Sequence, residues 1–145
     1  MSFHFSLDSV LRIRGIVEEQ EERMLQRILF EIAQTLEGIE SINAELAGSN
    51  ASRQAEVFKP VAGFNIHVAY ERMMTLKEKR KELEEKLEKL EQLRDRQLLI
   101  YTGARRNREM LTDMCEEKRG VYETDMARRD QRNLDDNHMS RRGRG

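Results

Sequence analysis

The chain reads as all-α: a long antiparallel two-helix coiled-coil hairpin, with the second helix longer than the first and a disordered basic C-terminal tail. Three observations predict this. First, a three-four spacing runs through Met73, Leu76, Arg80, Leu83, Leu87, Leu90, Arg94, Gln97, Tyr101, Ala104, Arg108, Leu111, Cys115, Lys118 and Tyr122. Positions so spaced share one narrow stripe of a helix, the seam that another helix covers. Second, the 145 residues are 38% apolar and 37% charged, with one Pro and no Trp, which suits long helices packed side by side better than a multilayer core. Third, a single cluster of breakers, Gly48-Ser49-Asn50 followed by Pro60 and Gly63, separates two helical stretches. The elements expected are helix 1 over about 6–47, a connector over about 48–65, helix 2 over about 66–136 and a tail at 137–145, forming one coiled-coil hairpin.

Helix 1 opens at Phe3-His4-Phe5-Ser6-Leu7-Asp8-Ser9-Val10. Ser6 is suited to N-cap the helix, Asp8 to its positive end, and Phe5 to staple onto Val10. Its stripe takes in Leu7, Leu11, Val17, Met24, Leu25, Ile28, Leu29, Ile32, Leu36, Ile39, Ile42 and Leu46, and thins where Glu18, Glu21 and Glu22 stand. Gly15 and Gly38 weaken it by roughly 1 kcal/mol each without ending it. In the connector, Ala51 to Phe58 is long enough for a further short turn of helix.

In an antiparallel hairpin, facing residues have numbers that add to a constant. A constant of about 115 sets apolar positions of the two heptad stripes against each other. It puts Leu46 on Ala69, Ile42 on Met73, Ile39 on Leu76, Ile32 on Leu83, Ile28 on Leu87 and Leu25 on Leu90. Glu21 then meets Arg94 and Glu18 meets Gln97, so that polar gaps coincide. A slip of one heptad is the alternative register. On this constant Leu7 reaches about Arg108, leaving roughly 37 Å of unpartnered helix between Thr112 and Asp136 at ~1.5 Å per residue. That overhang carries Met114, Cys115, Val121, Tyr122 and Met126, and an apolar stripe of this kind wants a partner.

Several kinds of chemistry are not indicated. His4, His67 and His138 lie far apart and Cys115 has no second thiol, so no zinc site or other metal centre is expected. No Gly-rich phosphate loop is present, and a two-helix hairpin offers no pocket, so neither a cofactor nor an enzymatic activity is expected. The single cysteine allows no internal disulfide and fits a reducing cytoplasm. Leu98-Leu99-Ile100-Tyr101 is too short to span a bilayer, and the N-terminus lacks the apolar block of a signal peptide. The net charge is −1, and acids interleave the arginines of Arg105 to Arg132. A protein partner is therefore expected rather than nucleic acid.

Phe3-x-Phe5-x-Leu7-x-x-Val10-Leu11-x-Ile13-Arg14 and the Glu-rich helix after it resemble the opening of the flagellar export protein FliJ family. The run Arg105-Arg106 … Glu109-x-Leu111 … Glu117-Lys118-Arg119 … Tyr122 … Arg128-Arg129-Asp130-Gln131-Arg132-Asn133-Leu134-Asp135-Asp136 is similar to its closing segment. Gly63 to Ala69 departs from the aromatic pattern of the family's hairpin tip. The resemblance implies a non-enzymatic stalk and general export chaperone of the type III export apparatus, serving flagellum biogenesis and motility. It would be a monomeric hairpin, cytoplasmic and peripheral to the inner membrane at the flagellar base. Its implied partners are the export ATPase FliI, the gate protein FlhA and export chaperones. On this sequence the ATPase-ring contact would be Phe3, Phe5, Leu111, Met114, Arg119, Tyr122, Met126 and Arg129. The gate contact would be Ile39, Ile42, Leu46, Tyr70, Met73 and Leu76. The stalk of a virulence secretion system and a self-associating coiled-coil scaffold are the alternatives.

Overall fold

The structure, a computed structural model, describes residues 2–56 and 63–143. It consists of two helices, α1 (Asp8–Glu56) and α2 (Gly63–Gly143), with no strand among the described residues. Both helices outrun their expected ends. α1 passes through Gly48-Ser49-Asn50, and no glycine among the described residues adopts a left-handed cap conformation. A glycine in a helical conformation costs about 1 kcal/mol relative to Ala but does not end the helix. The extra turn expected from Ala51 is part of α1 as far as Glu56, while Val57, Phe58 and Pro60 lie outside the described residues. At the other terminus, α2 continues through positions 137–143 of the expected tail, with Arg141 and Arg142 in its last turn, where cations favour the helix dipole.

The chain divides into two compact units, Glu22–Ile100 and Met1–Glu21 with Tyr101–Gly145. Each contains a segment of both helices, paired antiparallel. In the first unit the covered positions alternate by threes and fours: Leu25, Ile28, Ile32, Thr35, Ile39, Ile42 and Leu46 on α1, against Met73, Leu76, Arg80, Leu83, Leu87, Leu90, Arg94 and Gln97 on α2. The α2 stripe is the heptad register read from the sequence. On α1, Met24, Leu29 and Leu36 fall outside it and are 40–49% exposed. Thr35 takes the place assigned to Leu36 and is buried. Its hydroxyl donates to the Glu31 carbonyl at 2.8 Å, which removes the penalty of burying it.

The hairpin register is about one heptad further along α2 than the constant of 115 gave. A Cβ on Gly38 would lie 3.3 Å from Leu83, where Lys77 was expected. Asn43 accepts from Arg80 at 3.0 Å where Arg72 was expected, while Arg72 reaches the Glu45 carboxylate, close to the expected register. In the second unit Glu18 pairs with Arg108 and Phe3 with Tyr122, not with Gln97 and Thr112. A heptad slip returns seam positions to seam positions, so the three-four spacing alone is blind to it. The polar partners decide, and a carboxylate gains more from a guanidinium than from an amide.

Gly103 is an exposed mid-helix glycine, and a Cβ there would meet nothing within 4 Å. Gly103→Ala is expected to stabilise the chain by roughly 0.8–1 kcal/mol, read as a higher urea midpoint with unchanged slope.

Candidate functional site

In the unit made of Met1–Glu21 and Tyr101–Gly145, the segment before α1 folds back along α2. Asp8 N–H bonds to the Phe5 carbonyl at 3.1 Å, and Leu11 N–H to the Leu7 carbonyl at 2.9 Å. Leu7 therefore takes the N-cap place expected of Ser6. Phe5 does not act as a simple staple on Val10, which is 39% exposed. It is buried, with the Lys118 ammonium 5.6 Å from its ring centre. Phe3 lies 5.6 Å from the Tyr122 ring at a tilt of 49°, with the Arg119 guanidinium 5.4 Å over its face. These are cation–π and tilted aromatic contacts at ordinary range. The structure thus brings together Phe3, Phe5, Arg119 and Tyr122 of the expected ring contact.

The remaining residues of that set lie on either side. Leu111 and Met126 are half-buried on the stripe, and Met114 and Arg129 are exposed. From Ala127 to Gly143 every residue is exposed, roughly 25 Å of helix. The fully exposed length of α2 thus begins after Met126 instead of at Thr112, because the shifted register and the aromatic strap before α1 cover α2 as far as Tyr122.

The ionic anchor of this unit lies deeper than the aromatic cluster. Arg108 donates through Nε to Glu18 Oε2 at 2.6 Å and through Nη2 to Oε1 at 3.1 Å. The Glu18 side chain keeps 15% of its exposure and that of Arg108 31%. The Arg108 hydrogen bond lowers the Glu18 carboxyl below its ordinary value of 4.5, against the opposing effect of burial. A carboxyl with a lowered folded-state value stabilises the fold above its unfolded value, and the contribution is lost as pH falls through the folded one. Glu18→Gln is therefore expected to be less stable than the parent above pH 4.5, with the gap closing in more acid solution. Parallel urea titrations across this range check it.

In the unit Glu22–Ile100, the expected gate contact is mostly seam. Leu46 is buried and Ile39, Ile42, Met73 and Leu76 are half-buried, so they hold the two helices together. Only Tyr70 is open, at 50%. The sequence reading missed its exposed neighbours Ile66 and Met74. With Tyr70 they repeat every fourth residue, an apolar helical face that can be read from the sequence alone.

A family model described as "Flagellar FliJ protein" matches residues 3–145. The chain belongs to the flagellar FliJ protein family. No curated protein and no solved structure matches it. FliJ membership makes the chain a component of the flagellar type III export system, in place of the virulence equivalent, in a family of non-enzymatic export components. Like the sequence-based expectation, the FliJ assignment concerns protein partners in export. No described helix is long and apolar enough to cross a membrane.

Proposed function

We propose that the chain is a stalk and general export chaperone that links the export ATPase ring (FliI) to the export gate (FlhA) and handles export chaperones. It acts as a monomeric hairpin in the cytoplasm, peripheral to the inner membrane at the flagellar base. The observation that carries this reading is the presence of one partner-seeking surface in each unit. In one, the Phe3, Arg119 and Tyr122 cluster is followed by a fully exposed helix with Arg128, Arg129, Arg132, Arg141 and Arg142. In the other, Ile66, Tyr70 and Met74 stand open. The ring contact would use Phe3, Met114, Arg119, Tyr122, Met126 and Arg129, with Phe5 and Leu111 supporting them from within. The gate contact would use Tyr70 with Ile66 and Met74, while Ile39, Ile42, Leu46, Met73 and Leu76 hold that surface in place.

The test is stimulation of the export ATPase together with pull-down of the gate's soluble domain. Truncation after Gly120 is expected to abolish stimulation and leave gate binding intact. Tyr70→Ala with Met74→Asp is expected to do the reverse. Unchanged stimulation by the truncated chain would remove the ring assignment. A self-associating scaffold would instead sediment as a dimer, whereas Glu18–Arg108 and Glu45–Arg72 close pairs within one chain.

A further inference from the structure

We infer that the unit Glu22–Ile100 carries a third binding surface, an acid-rimmed leucine groove along one flank of the seam that takes a basic amphipathic helix of a protein partner. The flanks are told apart by an observed pair. Glu45 and Arg72, each just before a seam residue, bond across the helices, so positions preceding the first residue of each three-residue step share one side. Positions that follow the second residue of each step share the other. Leu29 and Leu36 on α1 and Leu98 on α2 stand there, and are 40%, 49% and 47% exposed.

Apolar residues beside an apolar seam widen it to the face that core-facing helices of a bundle carry, and a two-helix pair cannot cover that face. The groove is continuous with the established seam at Leu25, Ile32 and Leu90, all buried. From the level of Leu98 to Leu36 it extends roughly 18 Å, more than three turns of a docked helix.

Charge names the occupant. Along this stretch the rim carries Glu22, Glu84, Glu88, Glu91 and Asp95, and no lysine or arginine. Two of the five are approached by seam arginines: Asp95 by Arg94 at 3.3 Å and Glu84 by Arg80 at 4.0 Å. Glu22, Glu88 and Glu91 keep the acidic field of the rim. The opposite flank, at Arg27, Lys86, Lys89 and Arg96, is basic in the main. A helix with an apolar stripe and basic shoulders therefore fits the leucine flank and is repelled by the other. This inference does not rest on the flagellar reading, and its residues lie outside both surfaces assigned above.

The full chain should be titrated with a labelled 21-residue helical peptide bearing a leucine stripe flanked by lysines, and with its glutamate-flanked twin, by fluorescence anisotropy. The lysine peptide is expected to bind, and Leu29→Ser with Leu98→Ser to weaken it at least about tenfold. Met24→Ser with Leu93→Ser, on the basic flank, should leave it unchanged. All of these side chains are largely exposed, and circular dichroism checks that the variants keep their helix content. Glu88→Lys with Glu91→Lys should transfer preference to the glutamate peptide. Equal binding of both peptides to the parent chain overturns the inference, as does indifference to Leu29→Ser with Leu98→Ser. Sedimentation supplies the last arm: a parent dimer that becomes monomeric in the same variant would assign the groove to a second copy, and so overturn it too.

Discussion

Leu90→Ala is expected to lower the stability of the unit Glu22–Ile100 by about 2–4 kcal/mol. Leu90 is the one apolar α2 residue in the buried class among the described residues, and it shares that class with Leu25, Ile32 and Leu46 of the same unit. In a two-helix seam most partners stay half open, so the surroundings can collapse part of the way into the space left. That places the loss at the lower end of the range for large apolar truncations. The check is a urea titration followed by far-ultraviolet circular dichroism, with Leu87→Ala as comparison. Leu87 is only half-buried, and its truncation should cost less. If the two variants were equal, burial would not be what sets the strength of this seam.

Phe5→Ala is expected to release the aromatic strap without unfolding the helices. Burial of the ring contributes about 1.5–3 kcal/mol and the Lys118 contact about 0.5–1 kcal/mol. Alanine retains little of either, and Phe3, half-buried, is left to hold the strap with Tyr122 and Arg119. Amide exchange should accelerate about a hundredfold or more at Asp8, whose N–H is bonded to the Phe5 carbonyl, and remain unchanged at Ile32. Phe5→Leu, which keeps most of the apolar area, should recover most of the protection. Retained protection at Asp8 in the alanine variant would mean that the helix start, and not the ring, holds the strap.

The fold was legible where the physics is periodic. The three-four stripe from Met73 to Tyr122 is covered as read, apart from the exposed Lys118, because a two-stranded seam has one narrow face and little else to satisfy. The register was not legible, since a seven-residue slip returns every seam position to another seam position and leaves the spacing unchanged. Long-range contacts separate the alternatives, among them Glu18 with Arg108, a pairing that joins residues 90 apart in sequence. Thr35 escaped notice because attention to apolar residues passes over a hydroxyl that its own helix satisfies. The binding surfaces were half legible. Seam residues such as Met73 and Leu76 are conspicuous in sequence, but being conspicuous there is a mark of internal packing; the every-fourth-residue face at Tyr70 was readable beside them, whereas the open face at Leu98 emerges only once the seam is fixed.

The spread of cross-helix pairings along the chain bears on the order in which they form. Glu45 meets Arg72 across 27 residues and Asn43 meets Arg80 across 37, while Glu18 meets Arg108 across 90. Closing the longest of these loops costs about 1 kcal/mol more chain entropy than closing the shortest, so pairing nucleates beside the connector and zips toward the termini. The aromatic strap is then the last part to close on folding and the first to open under load. Pulled apart at its two ends, this chain would peel from the Phe3 side in sequential steps, and the bidentate Glu18–Arg108 clasp would be the first firm stop on the way in.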